Sequence, residues 1–459
     1  MKKTIPIKKG NIYHLSIEDL SHDGLGLARI DGFLVFIKDA LPGESIMARI
    51  TDVKKNYGYA QAIEQIKTAV DRVSPLCPLF MQCGGCQIQH MTNESQLTFK
   101  KSIVWRHLEK FANLKNPPVL DVIGMDEPWR YRNKTQIPFG TDDAGRLVAG
   151  FYKSRSHDII DMSSCLVQTT AADEVVAAVK QLARDYQIAP YNESVHDGVL
   201  RHVVVRVGFK TGQIMVIFVT RTLELPHQKA LCRQLRAQMP AIYSIVHNIN
   251  PKVTNAIFGE VFSTIAGKDD IIDSLDGIDF LISARSFYQV NPRQTEVLYQ
   301  LVVDYADLKA DAVVFDAYCG IGTITLFLAR VAAVVYGVEI VPEAIRDAKK
   351  NAEMNQIDNV HFEVGASEVV IPRLISEGVL PDVIVVDPPR KGCGKALLEA
   401  MIQAKPLRVV YVSCDSATLA RDIKILEAGG YQLQVVQPID MFPQTSHVEC
   451  VVLMSQKDG

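Results

Sequence analysis

The chain has 459 residues, 48% of them hydrophobic and 22% charged, with a net charge of −3. That length predicts two to four domains with a substantial core, and the near-neutral balance means that any nucleic-acid surface must come from local basic patches. The opening residues are broken repeatedly by Lys, Asn, His, Glu and Asp, which leaves no apolar run long enough for a signal peptide or membrane span and predicts a cytoplasmic protein with no membrane partner. In that compartment nine cysteines point to metal binding or catalysis rather than to a disulfide framework.

The N-terminal segment reads as short strands at 12–17, 26–30, 33–38, 45–53 and 59–66, rich in β-branched and aromatic residues and separated by Asp-Gly, Pro-Gly and Asn-Tyr-Gly turn signals. Five strands in so short a stretch predict a small closed barrel of oligonucleotide-binding type. Lys54 and Lys55 beside Tyr57 and Tyr59 would offer phosphate contacts next to stacking faces. The segment resembles the TRAM domain found on RNA-modifying enzymes, which implies that it binds RNA.

After the barrel comes Cys77-Pro-Leu-Phe-Met-Gln-Cys83-Gly-Gly-Cys86. The two-residue gap lets thiolates converge on one metal centre, and the glycines let the backbone wrap tightly round it. A fourth ligand is needed, and Cys165, flanked by polar residues, is the nearest candidate, whereas Cys232 sits in a helical pattern and Cys450 in a terminal strand. Spacing alone fits zinc as well as iron–sulfur. Four protein ligands would close the centre to substrate, so its role would be structural.

Residues 96–115 carry Leu97, Val104, Leu108 and Phe111 at helical spacing, and this amphipathic helix is expected to pack on the catalytic domain. Asn-Pro-Pro at 116–118 ends it. At 129–134, Trp-Arg-Tyr-Arg-Asn-Lys interleaves rings with the cations Arg130, Arg132 and Lys134, a strip suited to RNA bases and phosphates. Two β-rich runs, 203–208 and 214–219, flank a Lys-Thr-Gly turn and predict a hairpin in a central β-rich domain.

From about Asp311 apolar strands alternate with helices, the signature of a doubly wound parallel sheet. A strand ending at Asp316 leads into Ala-Tyr318-Cys319-Gly-Ile-Gly and a helix, and the next strand ends in Glu339. Strand, glycine loop, helix, strand and terminal acid form a dinucleotide or S-adenosylmethionine site, with the helix amino terminus facing the ligand. The next strand separates the two, because it ends in Asp387-Pro-Pro-Arg390, where a methyltransferase holds its target base near the methyl donor. Two further polar breaks follow, Val-Ser-Cys414-Asp and His-Val-Glu449, which suggest a cysteine nucleophile and a carboxylate base.

With Phe287-Tyr-Gln289-Val-Asn ahead of the sheet, these motifs resemble the RNA uracil-5-methyltransferase family, and most of all its cluster-containing 23S ribosomal RNA branch. The resemblance covers almost the whole chain. It implies an α/β chain with a barrel at 1–68, a central β-rich domain carrying the cysteine cluster at 69–284, and a Rossmann-like methyltransferase domain at 285–459. It further implies that Gln289, Tyr318, Glu339 and Asp387 contact S-adenosylmethionine, that Cys414 is the nucleophile and that Glu449 removes the proton. Cys77, Cys83, Cys86 and Cys165 match the family's 4Fe–4S ligands, and Tyr318 stands where many relatives have Phe. Phe287 would stack on a flipped or neighbouring nucleotide.

Cys319 and Cys393 are rival thiols, the first expected to face the cofactor and the second to lie on a mobile loop. The expected partner is 23S ribosomal RNA, bound by a monomer. A transfer-RNA uracil methyltransferase is the nearest alternative, disfavoured because that branch resembles the chain without barrel and cysteines. A cytosine-5-methyltransferase would place its nucleophile in a Pro-Cys or Thr-Cys setting. A non-catalytic RNA binder would have no reason to keep Cys414, Glu449 and the cofactor loop together.

Overall fold

The computed structural model describes residues 5–154 and 156–457. The chain falls into two compact units, one of Met1–Ile103 with Gln444–His447 and one of Val104–Pro443 with Val448–Gly459. No helix among the described residues is long and apolar enough to cross a membrane.

The first unit opens with β1 (Ile12–Ser16), β2 (Asp19–Leu20), β3 (Gly26–Ile30), β4 (Phe33–Lys38), β5 (Ser45–Val53) and β6 (Tyr57–Lys67), in the order β1-β5-β6-β4-β3-β2. The β3–β4 turn is Asp31-Gly32 with φ of 49° and 78°, the pair of positive angles that a tight hairpin requires. Leu15, Ala28, Val35, Ile46 and Ala60 come from five different strands and join one apolar cluster. A single sheet that buries one face against itself must curl, and this gives the expected barrel. The sixth strand is the short β2, too brief to leave a periodic signal. Beyond the barrel, α1 (Asn93–His107) places Phe99 and Ile103 against Leu20, Leu41 and Ile88.

The second unit contains two larger sheets. The central one is built from β7 (Lys134–Thr141), β8 (Leu147–Ala149), β9 (Leu200–Val207), β10 (Ile214–Thr220), β11 (Ile242–Ile249) and β12 (Val261–Gly267), in the order β12-β11-β10-β9-β7-β8. The predicted hairpin is the antiparallel β9–β10 pair, with Val207 opposite Ile214. Helices α2 (Thr170–Asp185) and α3 (Gln228–Gln238) belong to this region. A separate hairpin, β13 (Asp270–Leu275) and β14 (Ile278–Ser283), turns at Asp276-Gly277, both at positive φ. Val204, Ile217 and Val246 of the central sheet share one core with Ile271 and Phe280 of this hairpin and with Leu298 and Val302 further on.

The C-terminal sheet consists of β15 (Val313–Ala317), β16 (Val334–Glu339), β17 (Val360–Val364), β18 (Val383–Val386), β19 (Arg408–Ser413), β20 (Tyr431–Ile439) and β21 (Glu449–Gln456). Their order is β17-β16-β15-β18-β19-β21-β20, parallel through β19, with β21 antiparallel to both of its neighbours. The intervening helices are α4 (Pro292–Ala306), α5 (Thr323–Ala329), α6 (Pro342–Met354), α7 (Ser367–Ser376), α8 (Lys395–Ala404) and α9 (Ser416–Ala428). Strands buried on both faces read as unbroken apolar runs, as Val383-Ile-Val-Val386 does, all four buried. Strand order reverses between β15 and β18, so the crevice at their carboxyl ends is where a doubly wound sheet takes its ligand. On the other face Val104, Leu108 and Ala112 pack with Leu419, Ile423 and Leu426 of α9. His107 Nδ1 lies 2.8 Å from Ser416 Oγ.

Gly337 of β16 sits opposite Phe362 of β17. A methyl group there would lie 2.8 and 2.9 Å from two atoms of the Phe362 ring and 3.1 Å from Cys319 Sγ. Gly337→Ala should therefore lower stability by about 1–3 kcal/mol, the usual cost of overpacking. Phe362→Leu in the same chain should recover part of that loss in denaturant or thermal unfolding, and additive losses would sink the steric explanation.

Candidate active site

The loop after β15 is held by the strand beside it. Tyr318 N and Cys319 N both donate to Val338 O, at 2.9 and 3.0 Å, and Gly320 N donates to Glu339 Oε2 at 3.2 Å. Glu339 Oε1 accepts from Val341 N at 2.9 Å, so its carboxylate fixes the loop as well as ending the strand. Tyr318, Gly320 and Gly322 take φ of 69°, 57° and 83°, which turns the chain sharply into the amino terminus of α5. The cost at Tyr318, a residue with a Cβ in the left-handed region, is offset by its hydroxyl, which donates to Glu368 Oε1 of α7 at 2.8 Å. Nothing in the sequence marked Glu368. Asp316, at the end of β15, is fully buried and accepts from Thr325 Oγ1 at 2.5 Å, while its Oδ1 has no hydrogen-bond partner among the described residues.

The ends of the later strands bring the proposed chemical groups together. Ser413 of β19 pairs with Cys450 of β21 in antiparallel register. That is the last pair of the ladder, and Cys414 and Glu449 are the residues next beyond it on the two strands, near enough that the Glu449 charge raises the Cys414 thiol. Behind Cys414 the backbone is locked, because Asp415 caps α9, its Oδ1 accepting from Ala417 N and Thr418 N at 3.0 Å each. Burial pushes the Cys414 thiol up to about 11, with Glu449 and Asp387 adding to the shift and Arg390 opposing it. Arg390 was visible in the Asp-Pro-Pro-Arg motif but had been given no role.

Glu449 is 4% exposed and its Oε2 has no hydrogen-bond partner among the described residues. Burial, with Asp387 adding, pushes its carboxyl from 4.5 up to about 8. Asp387 lines the cleft, half-buried, and desolvation raises it to about 7. Asp316 is likewise pushed to about 7 by burial. Below these acids lies Tyr299 of α4, 2% exposed, its hydroxyl donating to Thr323 Oγ1 at 2.9 Å, and the charges of Asp387, Glu449 and Asp316 all raise it further.

The rival thiols are placed differently from the sequence expectation. Cys393 is 5% exposed rather than mobile, because its amide donates to Asp422 Oδ2 at 2.9 Å and its thiol, pushed up to about 12 by burial, lies in the core with Tyr411. Cys319 faces the core rather than a ligand, since its Sγ lies against Gly337 and burial raises it well above the ordinary thiol range.

Gln289 is buried at the head of α4, with its carbonyl accepting from Asn133 Nδ2 at 3.0 Å, while Phe287 is 68% exposed. In the 129–134 strip Tyr131 and Asn133 are buried, whereas Trp129, Arg130, Arg132 and Lys134 are half-buried. Tyr131 is 1% exposed and donates to Pro443 O at 3.0 Å, and Arg130 pairs with Asp173 at 2.6 Å and donates to Cys165 O at 2.7 Å. Arg130 thus braces the Cys165 turn, whose amide donates to Asp173 Oδ1 at 3.0 Å. Arg132 Nε donates to Lys134 O at 3.2 Å, and Lys134 is pushed down to about 7 by burial, with Arg206 and Arg132 adding. In the barrel, Lys54 is exposed and pairs with Asp52 at 2.7 Å, Lys55 is exposed, and Phe36, Tyr57 and Tyr59 form a half-buried aromatic cluster with centroids 5.5–5.7 Å apart.

Cys77, Cys83, Cys86 and Cys165 are half-buried and free of disulfides. Gly85 N donates to Cys83 Sγ at 3.3 Å, a contact that suits a thiolate, and burial with the nearby Cys77 raises the Cys83 thiol. Among the described residues no group of three or more His, Cys, Asp or Glu is disposed to hold a metal ion. The donor chemistry fits a soft metal centre, the side-chain arrangement does not display one, and no step below passes through it.

The raised Glu449 carboxyl has a consequence for stability. An acid whose folded pKa lies above its usual value favours folding fully below about 4.5 and loses that contribution as pH rises through about 8. Glu449→Gln cannot ionise, so its melting temperature should exceed that of the wild type at pH 8.5, and the gap should shrink towards pH 5. A gap independent of pH would remove Glu449 from the buried acid cluster.

Comparison with known proteins places this arrangement. Residues 276–457 match the family described as tRNA (Uracil-5-)-methyltransferase, and residues 6–63 match the TRAM domain. An uncharacterized RNA methyltransferase of Halalkalibacterium halodurans is 52% identical over 457 residues, covering 100% of both chains, and one of Bacillus cereus is 51% identical over 455 residues, covering 99% of both. The crystal structure of Pyrococcus abyssi tRNA (uracil-54, C5)-methyltransferase in complex with S-adenosyl-L-homocysteine is similar over 96% of this chain and 100% of that one, at 28% identity and a TM-score of 0.76. The chain belongs to the RNA methyltransferases of the tRNA (uracil-5-)-methyltransferase family, with a TRAM domain at its N-terminal end.

Proposed function

We propose that this protein, a cytoplasmic monomer, methylates carbon 5 of a uridine in 23S ribosomal RNA through a covalent adduct on Cys414. The observation that supports the reading is that Cys414 and Glu449 follow the last pair of the β19–β21 ladder, Ser413 with Cys450, and that the Glu449 charge acts on the Cys414 thiol. In the proposed division of labour the barrel at 1–68 binds RNA, 69–284 carries the cysteine centre, and 285–459 performs the transfer.

S-adenosylmethionine supplies the methyl group as a sulfonium when bound. Gln289, Tyr318, Glu339 and Asp387 would hold it at the crevice between β15 and β18, where the glycine loop permits close backbone approach. Carbon 5 of uracil is too weak a nucleophile to take the methyl group unaided. The Cys414 thiolate bonds to carbon 6, and the electrons of the 5,6 double bond shift to give an enolate. Carbon 5 then takes the methyl group, and the sulfonium leaves as a neutral thioether. Glu449 removes the hydrogen from carbon 5, the double bond re-forms, and the thiolate departs. The target base must leave the RNA stack to reach both groups, and exposed Phe287 is suited to stack on it or on its neighbour.

A transfer RNA is the second reading for the substrate, favoured by the Pyrococcus abyssi neighbour, whose printed substrate is tRNA. Mapping 5-methyluridine in ribosomal and transfer RNA from cells with and without the gene decides between the two. A labelled cytidine that gains the methyl group would turn the reading to cytosine-5 chemistry.

The covalent step has its own test. Cys414→Ala should lose methylation while still binding S-adenosylmethionine, and Glu449→Gln should slow turnover by about 10²–10⁴-fold, the usual worth of a general base. RNA carrying 5-fluorouridine should trap the wild type as an adduct stable to denaturing electrophoresis, because fluorine cannot leave as a proton. An adduct that survives in Cys414→Ala would assign the nucleophile to another thiol.

The four cysteines support a structural 4Fe–4S cluster in the proposed function. Protein purified without oxygen should then be brown with broad visible absorbance and about four irons per chain. Stoichiometric zinc without iron would replace the cluster by a zinc site.

A further inference from the structure

The central sheet carries a groove that the proposed chemistry leaves unused. It holds about 580 Å³ and adjoins a hollow of about 430 Å³, the two sharing Tyr152, His157, Glu193 and His202. Its floor includes His202 of β9, which pairs with Pro138 of β7 in the adjoining hollow, and its walls include Tyr152 and Ile159, joined by a β-bridge, with Lys153, His157 and Asp158 and residues 191–194. A volume of this size suits a small organic ligand or a nucleoside.

Two buried polar side chains on the floor each keep one nitrogen without a partner among the described residues. His202 is 8% exposed, and its Nδ1 is wholly buried with no hydrogen-bond partner among the described residues. Burial, with Arg201 adding, keeps the imidazole neutral by pushing it down to about 4. Arg201 is 2% exposed, and its Nη1 donates to Asn250 O and Lys252 O at 2.9 and 2.6 Å. Its guanidinium lies 4.3 Å over the Tyr191 ring, while its Nε is unpartnered among the described residues. His202 lines both hollows, and with its Nδ1 enclosed the ring has Nε2 to offer a ligand in the groove.

The walls favour one kind of ligand over another. Tyr152 is half-buried and lies 5.4 Å from the His157 ring, so one aromatic platform borders the groove. Glu193, 2.7 Å from His157 Nδ1, lines it along with Asp142, Asp143 and Asp158. These carboxylates repel phosphate but accept hydrogen bonds from amino groups.

We propose that this groove binds an unpaired RNA base bearing an exocyclic amino group, namely adenine, guanine or cytosine, at a position apart from the methylated uridine. The base stacks on Tyr152, its amino group donates to Glu193, and His202 completes the remaining edge contact. Uracil is discriminated against because it has no exocyclic amine to donate to Glu193 and offers only its ring N3–H. The inference rests on the RNA specificity of the family and not on which uridine is methylated.

The test uses the full chain and fluorescein-labelled hexaadenylate, hexacytidylate and hexauridylate, with binding read by anisotropy. Hexaadenylate and hexacytidylate should bind at least about threefold tighter than hexauridylate. Tyr152→Ala should weaken hexaadenylate by about fivefold or more, as loss of one stacked base predicts, and His202→Gln should erase the preference. Tyr152→Leu serves if the alanine variant does not fold, and retained S-adenosylmethionine binding reports an intact catalytic sheet. Lys54→Ala should instead weaken all three oligonucleotides alike. Equal affinity of the wild type for the three, or a preference unchanged in the Tyr152 and His202 variants, would overturn the proposal. Failure of the uracil reading would show separately, as absence of 5-methyluridine in an otherwise unaltered binding pattern.

Discussion

Asp316, Asp387 and Glu449 are gathered at one edge of the C-terminal sheet, and burial drives all three carboxyls up to about 7 or 8. Two of them keep an oxygen, Asp316 Oδ1 and Glu449 Oε2, with no hydrogen-bond partner among the described residues. A protein that only needed to be stable would fill these positions with apolar residues, because desolvating an acid without full bonding costs free energy. Such acids persist where their field is used, and a cleft lined by one sign of charge favours a ligand of the opposite sign. Under the proposed function the donor is such a ligand, a sulfonium whose neutral thioether product is not, and the same field would favour entry of the one and exit of the other.

The topology explains why these groups meet although they lie far apart in sequence. Parallel β15, β16 and β18 deliver Asp316, Glu339 and Asp387 to a common edge, since all three strands run the same way. The antiparallel β21 begins where β19 ends, so Glu449 enters at the edge that Cys414 leaves. A one-residue slip in this register would turn Glu449 to the other face of the sheet. Cys450 and Val451, which follow Glu449 in β21, are fully buried and resist such a slip.

Much of this was legible in the sequence, and the rest was hidden for identifiable reasons. The barrel strands, the glycine loop and the strand-end motifs announce themselves because turn chemistry and strand periodicity are local. The Trp-Arg-Tyr-Arg-Asn-Lys strip did not reveal which of its side chains are covered, because alternation of rings and cations says nothing about that: Tyr131 and Asn133 are buried, and Arg130, Arg132 and Lys134 half-buried. Tyr131 is held by Pro443 and Arg130 by Asp173, partners far along the chain. Cys393 was assigned to a mobile loop on the strength of its flanking glycines, yet Asp422, in α9, draws its amide into the core. Glu368 and Tyr299 gave no signal, since a helical Glu and a buried Tyr are common. Their roles exist only once α7 and α4 are packed against the sheet.

The protonation states on the two sides of the Cys414–Glu449 pair depend on each other. An ionised Glu449 raises the thiol, so the resting pair favours a thiol beside a neutral or partly protonated carboxyl. The proposed reaction needs the opposite state twice, a thiolate for attack on carbon 6 and then a carboxylate to take the proton from carbon 5. A cation bound against the same wall would lower both groups together, because it stabilises each negative charge. Under the proposed function, donor binding thus activates nucleophile and base at once, and their loss of charge after methyl transfer returns the cleft to its resting state. The raised pKa values are then the property that ties thiol activation to the presence of the methyl donor, and Arg390, already opposing the shift at Cys414, acts in the same direction.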